Sequence, residues 1–190
     1  MSAIQMRGYV PLSAAVYLRG AAGEQAAQQL LGSMSPQARR ALETATQASW
    51  CPAGDVAEVF QVIASLGKGN EDQARMHLVE CGKHAAREAS NTFLRLLMKL
   101  LTPAMFAKKL PELWGRDCTG GRITVQLHED RIVNHLLDMD GFDHIAPVAV
   151  GYVMFALEAM GKSITKSTLH GWSLAQPSAS DSWFEVSWRT

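Results

Sequence analysis

The feature that most constrains this chain is a change of apolar period between Phe93 and Val125. Phe93, Leu96, Leu97, Leu100 and Leu101 recur at three and four residues, the spacing that places side chains on one face of an α-helix. Ile123, Val125 and Leu127 then alternate with Thr124 and Gln126, the pattern of a half-buried strand. The chain therefore passes from a helical part to a sheet part within this stretch.

The helical stripe extends backwards through Gly82, Ala86 and Ala89, small residues that let a neighbour approach, while Leu94 and Met98 widen the apolar sector. A helix with so few polar positions is expected to be buried on most sides. Thr102-Pro103 reads as an N-cap followed by proline at the first helical position, so a new helix starts there. It is expected to bury Met105, Phe106, Leu110 and Leu113, with a kink or break at Pro111 and an end near Trp114-Gly115.

Upstream, helices are predicted over Tyr9 to Leu18, Glu24 to Leu31 and from the Ser35-Pro36 start, packed locally as a small bundle. Trp50-Cys51-Pro52 interrupts the pattern. A helix over Asp55 to Leu66 follows, then one starting at Asn70 or Asp72 that either runs on into the Phe93 helix or bends at Gly82 or Ser90-Asn91. Downstream, Arg131 to Asp138 pairs back as a hairpin strand, Asp143 to Met160 is a helix closed by Gly161, and Ser163 to Leu174 and Ser182 to Trp188 are strands. Phe184, Val186 and Trp188 share one face of the last strand and Trp183 lies on the other. The expected fold is α+β: N-terminal helices, about 8–117, on a C-terminal four-stranded antiparallel sheet of β-β-α-β-β order, about 121–190, in a single domain of 190 residues.

Eighteen basic and eighteen acidic residues give a formal net charge of zero, so no general electrostatic footprint for nucleic acid exists. Cys51, Cys81 and Cys118 are widely spaced and form no CxxC pair, which fits a reducing compartment and argues against a disulfide scaffold or a zinc site. No apolar segment reaches the length of about 20 residues that a membrane span needs, and the N-terminus has no signal-peptide pattern. The expected location is the cytoplasm.

The opening RGYVPLSAAVYL, the Ser-Trp-Cys-Pro at 49–52, the block from Phe93 to Val125 and the closing FEVSW resemble a bacterial paralogous family. That family looks like a distant member of the superfamily containing the heme-NO-binding sensor domains, the 4-vinyl-reductase-like domains and the vesicle-tethering TRAPP subunits. The resemblance covers nearly the whole chain. It implies helices packed on a four-stranded antiparallel sheet, with a space between them that holds a heme, an acyl chain or another hydrophobic ligand, or is filled with side chains. The chain has no Tyr-x-Ser-x-Arg, the signature that grips heme propionates in the heme-binding branch, and lacks the cysteine cluster of the vinyl-reductase-like branch. No cofactor is therefore expected.

No catalytic constellation is present: there is no GxSxG, no HExxH and no phosphate loop. The leading reading is a non-catalytic binding or regulatory domain acting through a protein partner or as a homodimer, with Trp183 and Trp172 as interface anchors. The alternative is a small-molecule sensor whose hydrophobic ligand, an acyl chain or a tetrapyrrole, lies beneath Phe93, Leu97, Phe106, Val153 and Phe155. Were heme bound, His84 or His77, seven residues apart on one helix, would be the candidate axial ligands. No metal site is expected; His128-Glu129-Asp130 reads as a solvated turn, and Cys51 as a buried thiol.

Overall fold

The computed structural model describes residues 4–90, 98 and 100–189. Strand β1 (Gln5–Arg7) leads into helices α1 (Tyr9–Ala22), α2 (Glu24–Gly32) and α3 (Pro36–Thr44), then strand β2 (Trp50–Pro52) and helices α4 (Ala53–Ser65) and α5 (Glu71–Ala89). Helix α6 (Pro103–Asp117), strands β3 (Arg122–Leu127) and β4 (Arg131–Leu137), helix α7 (Ile145–Ala159) and strands β5 (Ser163–His170) and β6 (Trp183–Arg189) complete the chain. This is the expected α+β order.

The capping residues act where the sequence placed them. Ser35 Oγ accepts from the Ala38 amide, Asn70 Oδ1 from that of Gln73, and Thr102 Oγ1 from that of Met105, each satisfying a donor that the first helical turn leaves free. Helix α5 ends at Ala89 because Ser90 is extended, at φ −100° and ψ 107°, so it does not continue towards Phe93. Phe93 and Leu97, with the rest of the Phe93 to Leu97 stripe, lie outside the described residues.

Three expectations need correction, while the expected interruption at Trp50-Cys51-Pro52 is found. Pro111 neither breaks nor divides α6; it sits on the exposed side, where water can take up the carbonyl that loses its amide partner. Met105, expected inside, is 52% exposed. The Trp50-Cys51-Pro52 interruption is a strand that pairs antiparallel with β1, bringing Met6 opposite Cys51. Strand β5 stops at His170 because Gly171 turns the chain at φ +79°, and a side chain there would press on Ser182.

The four-stranded sheet has the order β3-β4-β6-β5, antiparallel throughout. Ile123, Ile132, Leu136, Phe184, Val186 and Trp188 face inward and are buried. Helix α7 lies between this sheet and α5, contacting β5 and β6 on one side and α5 on the other. The α5–α7 crossing depends on two glycines. A Cβ on Gly82 would collide with the Val148 carbonyl, and one on Gly151 with the Val79 carbonyl. The two backbones thus touch, and no other residue permits that approach.

Candidate functional site

Helix α6 packs on β3, and α1 meets the end of α6 through the Tyr9–Asp117 hydrogen bond. Between them and α7 lies an apolar cavity of about 80 Å³. Its wall is built from residues whose periodicity aims them inward: Tyr9 and Val10 from α1, Leu110 and Trp114 from α6, and Val148, Ala149, Tyr152 and Val153 from α7. Met6, Ala85, Cys118 and Ile123 close the remaining sides.

The polar groups of the lining serve one another. The Tyr9 hydroxyl donates to Asp117 Oδ2 at 2.9 Å. The Asp117 carboxylate is also clamped by Arg116, through Nε at 2.9 Å and Nη2 at 2.7 Å. The Tyr152 hydroxyl neighbours that of Tyr9. Burial first, then the neighbouring hydroxyl and carboxylate, pushes the Tyr9 phenol well above its ordinary range. Burial likewise raises Tyr152 and the Cys118 thiol. All three side chains are therefore neutral at physiological pH, and none of them is a ready proton donor or nucleophile.

Trp114 is held in place. Its indole Nε1 donates to the Gly120 carbonyl at 3.1 Å, and its ring meets Phe142 edge-on at 5.7 Å between centroids. A wider groove of about 1310 Å³ runs along α1, α2 and α3. It is open to solvent, and it carries surface ion pairs such as Arg19–Glu24 at 3.5 Å. The gap is the more apolar of the two, and it adjoins the groove at Tyr9 and Asp117, which line both.

The structure separates the residues expected to form a pocket. Val153 lines the gap. Phe106 is buried in the core but is absent from the lining. Phe155 is also absent from it and carries the Arg87 guanidinium 6.0 Å over its ring. His77 and His84 do share one face of α5, but that face meets Tyr17: the Tyr17 hydroxyl and His77 Nδ1 lie 3.0 Å apart, and the His84 ring is 6.1 Å from the Tyr17 ring. Tyr17 is two helical turns along α1 from Val10, roughly 10 Å at 1.5 Å per residue. Neither histidine lines the gap.

Trp172 is not available as an interface anchor, since it is 8% exposed and packs edge-on against the buried His144. Trp183 lies on the outer sheet face. His170 stacks on it at 3.9 Å between centroids and His135 flanks its other side at 6.1 Å, all three in one cross-strand row. Sequence reasoning missed Tyr9, Asp117, Trp114 and Cys118 as lining residues. Trp114, Asp117 and Cys118 lie together at the end of α6, and only the fold brings them to Tyr9 of α1.

No family model and no curated protein matches the sequence. Solved structures do match. The Fe(II) unliganded H-NOX protein of K. algicida superposes with a TM-score of 0.72 at 9% identity, over 97% of each chain. The fold is that of an H-NOX domain. An oxygen-binding H-NOX domain related to soluble guanylate cyclases, in its oxygen complex, gives 0.59 at 12% identity over 97% of this chain and 96% of the other. An H-NOX protein from S. oneidensis in the Fe(II)NO ligation state gives 0.60 at 12% identity over 97% and 100%. These heme-NO-binding neighbours overturn the expectation of no cofactor. That expectation rested on absent sequence signatures, which do not survive at such low identity even where a fold does.

Proposed function

We propose that this chain is a small-molecule sensor domain whose hydrophobic ligand occupies the gap between α1, α6, α7 and β3. The observation that carries the reading is the apolar gap between helices and sheet in a fold shared with H-NOX domains. The same observation favours a sensor over a pure protein-interaction module.

Heme is the group that this fold brings with it, and the lining can be tested against it. A heme needs an axial ligand and room for a macrocycle. No histidine lines the gap, the Cys118 thiol is buried and protonated, and the volume is about 80 Å³. Pockets for ligands of that size are roughly 300–1,000 Å³. His84 Nε2 is buried without a hydrogen-bond partner, as a ligating nitrogen would be, but it belongs to the α1–α5 face. The gap residues do not fit a heme in this conformation.

The test is native mass spectrometry of freshly purified protein against its denatured mass. Noncovalent mass released on denaturation is the expected result. Bare chains, with no stabilisation by any apolar probe, would refute the sensor reading. A docking role for the outer sheet face is a second reading, favoured by the row His135, Trp183 and His170. The same spectra report it as a dimer.

A further inference from the structure

The misfit between the fold's associated cofactor and this gap points to a different ligand. We infer that the gap admits a compact apolar molecule of a few heavy atoms, such as a short hydrocarbon or an apolar gas, and excludes a macrocycle. This inference rests on the reading of the gap as a ligand site. Three observations carry it: volume, lining chemistry and the fixed position of the residue that blocks expansion.

A dry cavity of about 150 Å³ lined by apolar side chains holds benzene or xenon. The gap here is about 80 Å³, more than the roughly 30 Å³ that one water occupies in the liquid and less than one aromatic ring requires without side-chain movement. Xenon-sized guests fit this range, and four fused pyrroles do not.

The lining selects against polar guests. Tyr9 spends its proton on Asp117, and the Asp117 carboxylate is held by Tyr9 and Arg116. A ligand hydroxyl or carboxylate entering the gap would lose its water against a wall that is almost wholly apolar, an unfavourable exchange. Val10, Leu110, Val148, Ala149 and Val153 offer only dispersion contacts.

Expansion is opposed by Trp114. The indole would have to surrender both its bond to Gly120 and its edge contact with Phe142 before the gap could lengthen along α6.

The full chain, labelled at methyl groups, is examined by NMR under xenon pressure and, separately, with hemin. Saturable xenon shifts are expected at Val10, Leu110, Val148 and Val153, with no ligated-heme absorption band and no displacement of xenon by hemin. The cavity-filling variant Ala149→Leu should lose the xenon shifts while keeping the remaining spectrum. Val153→Leu fills the gap from the next turn and serves if the first variant does not fold. Stoichiometric hemin binding that displaces xenon overturns the size limit and leaves the ligand gap standing. Xenon shifts absent from the gap methyls, with no hemin binding, overturn both the inference and the sensor reading.

Discussion

Replacing Gly151 by alanine tests the α5–α7 crossing on which the layered arrangement depends. The added methyl would overlap the Val79 carbonyl oxygen and would lie 2.8 Å from the Val79 carbonyl carbon and 2.9 Å from the Lys83 amide nitrogen. Ordinary contact begins near 3.4 Å. Backbone atoms of a helix cannot rotate aside as a side chain can, so the two helices must part. A gap of about 0.5–1 Å forfeits roughly a quarter to a half of the dispersion energy of every contact it opens. Cys81, Ala85, Ala86, Val148 and Val153 are all at most 4% exposed, so the loss spreads over a packed interface. Overpacking of this kind costs about 1–3 kcal/mol and occasionally more, and a backbone-to-backbone contact belongs at the upper end. Alanine returns up to about 1 kcal/mol in helix propensity. The expected net loss is about 2–3 kcal/mol, or roughly 4–12 °C in Tm for a chain of this length. Urea unfolding followed by circular dichroism measures it. Gly20 is the internal control: it lies in α1 with nothing within 4 Å of a built Cβ, so Gly20→Ala should stabilise by about 0.5–1 kcal/mol. A Gly151→Ala protein as stable as Gly20→Ala would refute the crossing.

Other outcomes follow from single contacts. Ser35→Ala removes the N-cap of α3 and the 2.7 Å bond from the Ser35 hydroxyl to Glu58, and should cost about 1–2 kcal/mol in urea midpoint analysis. Trp114→Phe keeps the ring against Phe142 but loses the bond to Gly120; a loss of about 1 kcal/mol is expected, and an unchanged midpoint would mean the indole is not anchored. Burial pushes the Cys81 thiol up from its ordinary 9.0 to about 12. The stability this contributes is complete below pH 9 and is lost as pH rises from 9 towards 12, so Cys81→Ala should show a shallower alkaline decline in Tm. His144 is shifted the other way, lowered from 6.5 chiefly by burial, with Asp143 opposing. Its contribution is present above pH 6.5 and is lost as pH falls through the lowered value. His144→Asn, which tolerates the left-handed φ of +63°, should flatten the acid limb of a Tm–pH profile.

The sheet was the most legible part of the chain because a strand with one buried face writes its burial into every second residue. Phe184, Val186 and Trp188 show this, at 0%, 0% and 6% exposure. Edge strand β3 was less legible: Ile123 is buried, but Leu127 is 38% exposed, since an edge strand can place apolar residues outside its helical cover. The gap was legible only in part. Periodicity put Val153 and Tyr152 on the inward face of α7, but it could not distinguish that wall from the core around Phe106 or the outer position of Phe155. The His77–His84 pair shows the same limit, because a seven-residue spacing fixes a shared face without saying what the face meets.

Local chemistry alone settled where helices start, where the chain changes from helix to strand and which strand faces are apolar, because caps, prolines and side-chain period act within a few residues. Tertiary structure decided the rest. Pairing of β1 with β2, the close approach of α5 to α7 at Gly82 and Gly151, and the meeting of Tyr9, Asp117 and Tyr152 each join residues at least 35 positions apart. Such contacts depend on how whole elements pack, and packing is set by the sum of many weak apolar contacts rather than by any motif. The size and polarity of the gap are therefore properties of the fold.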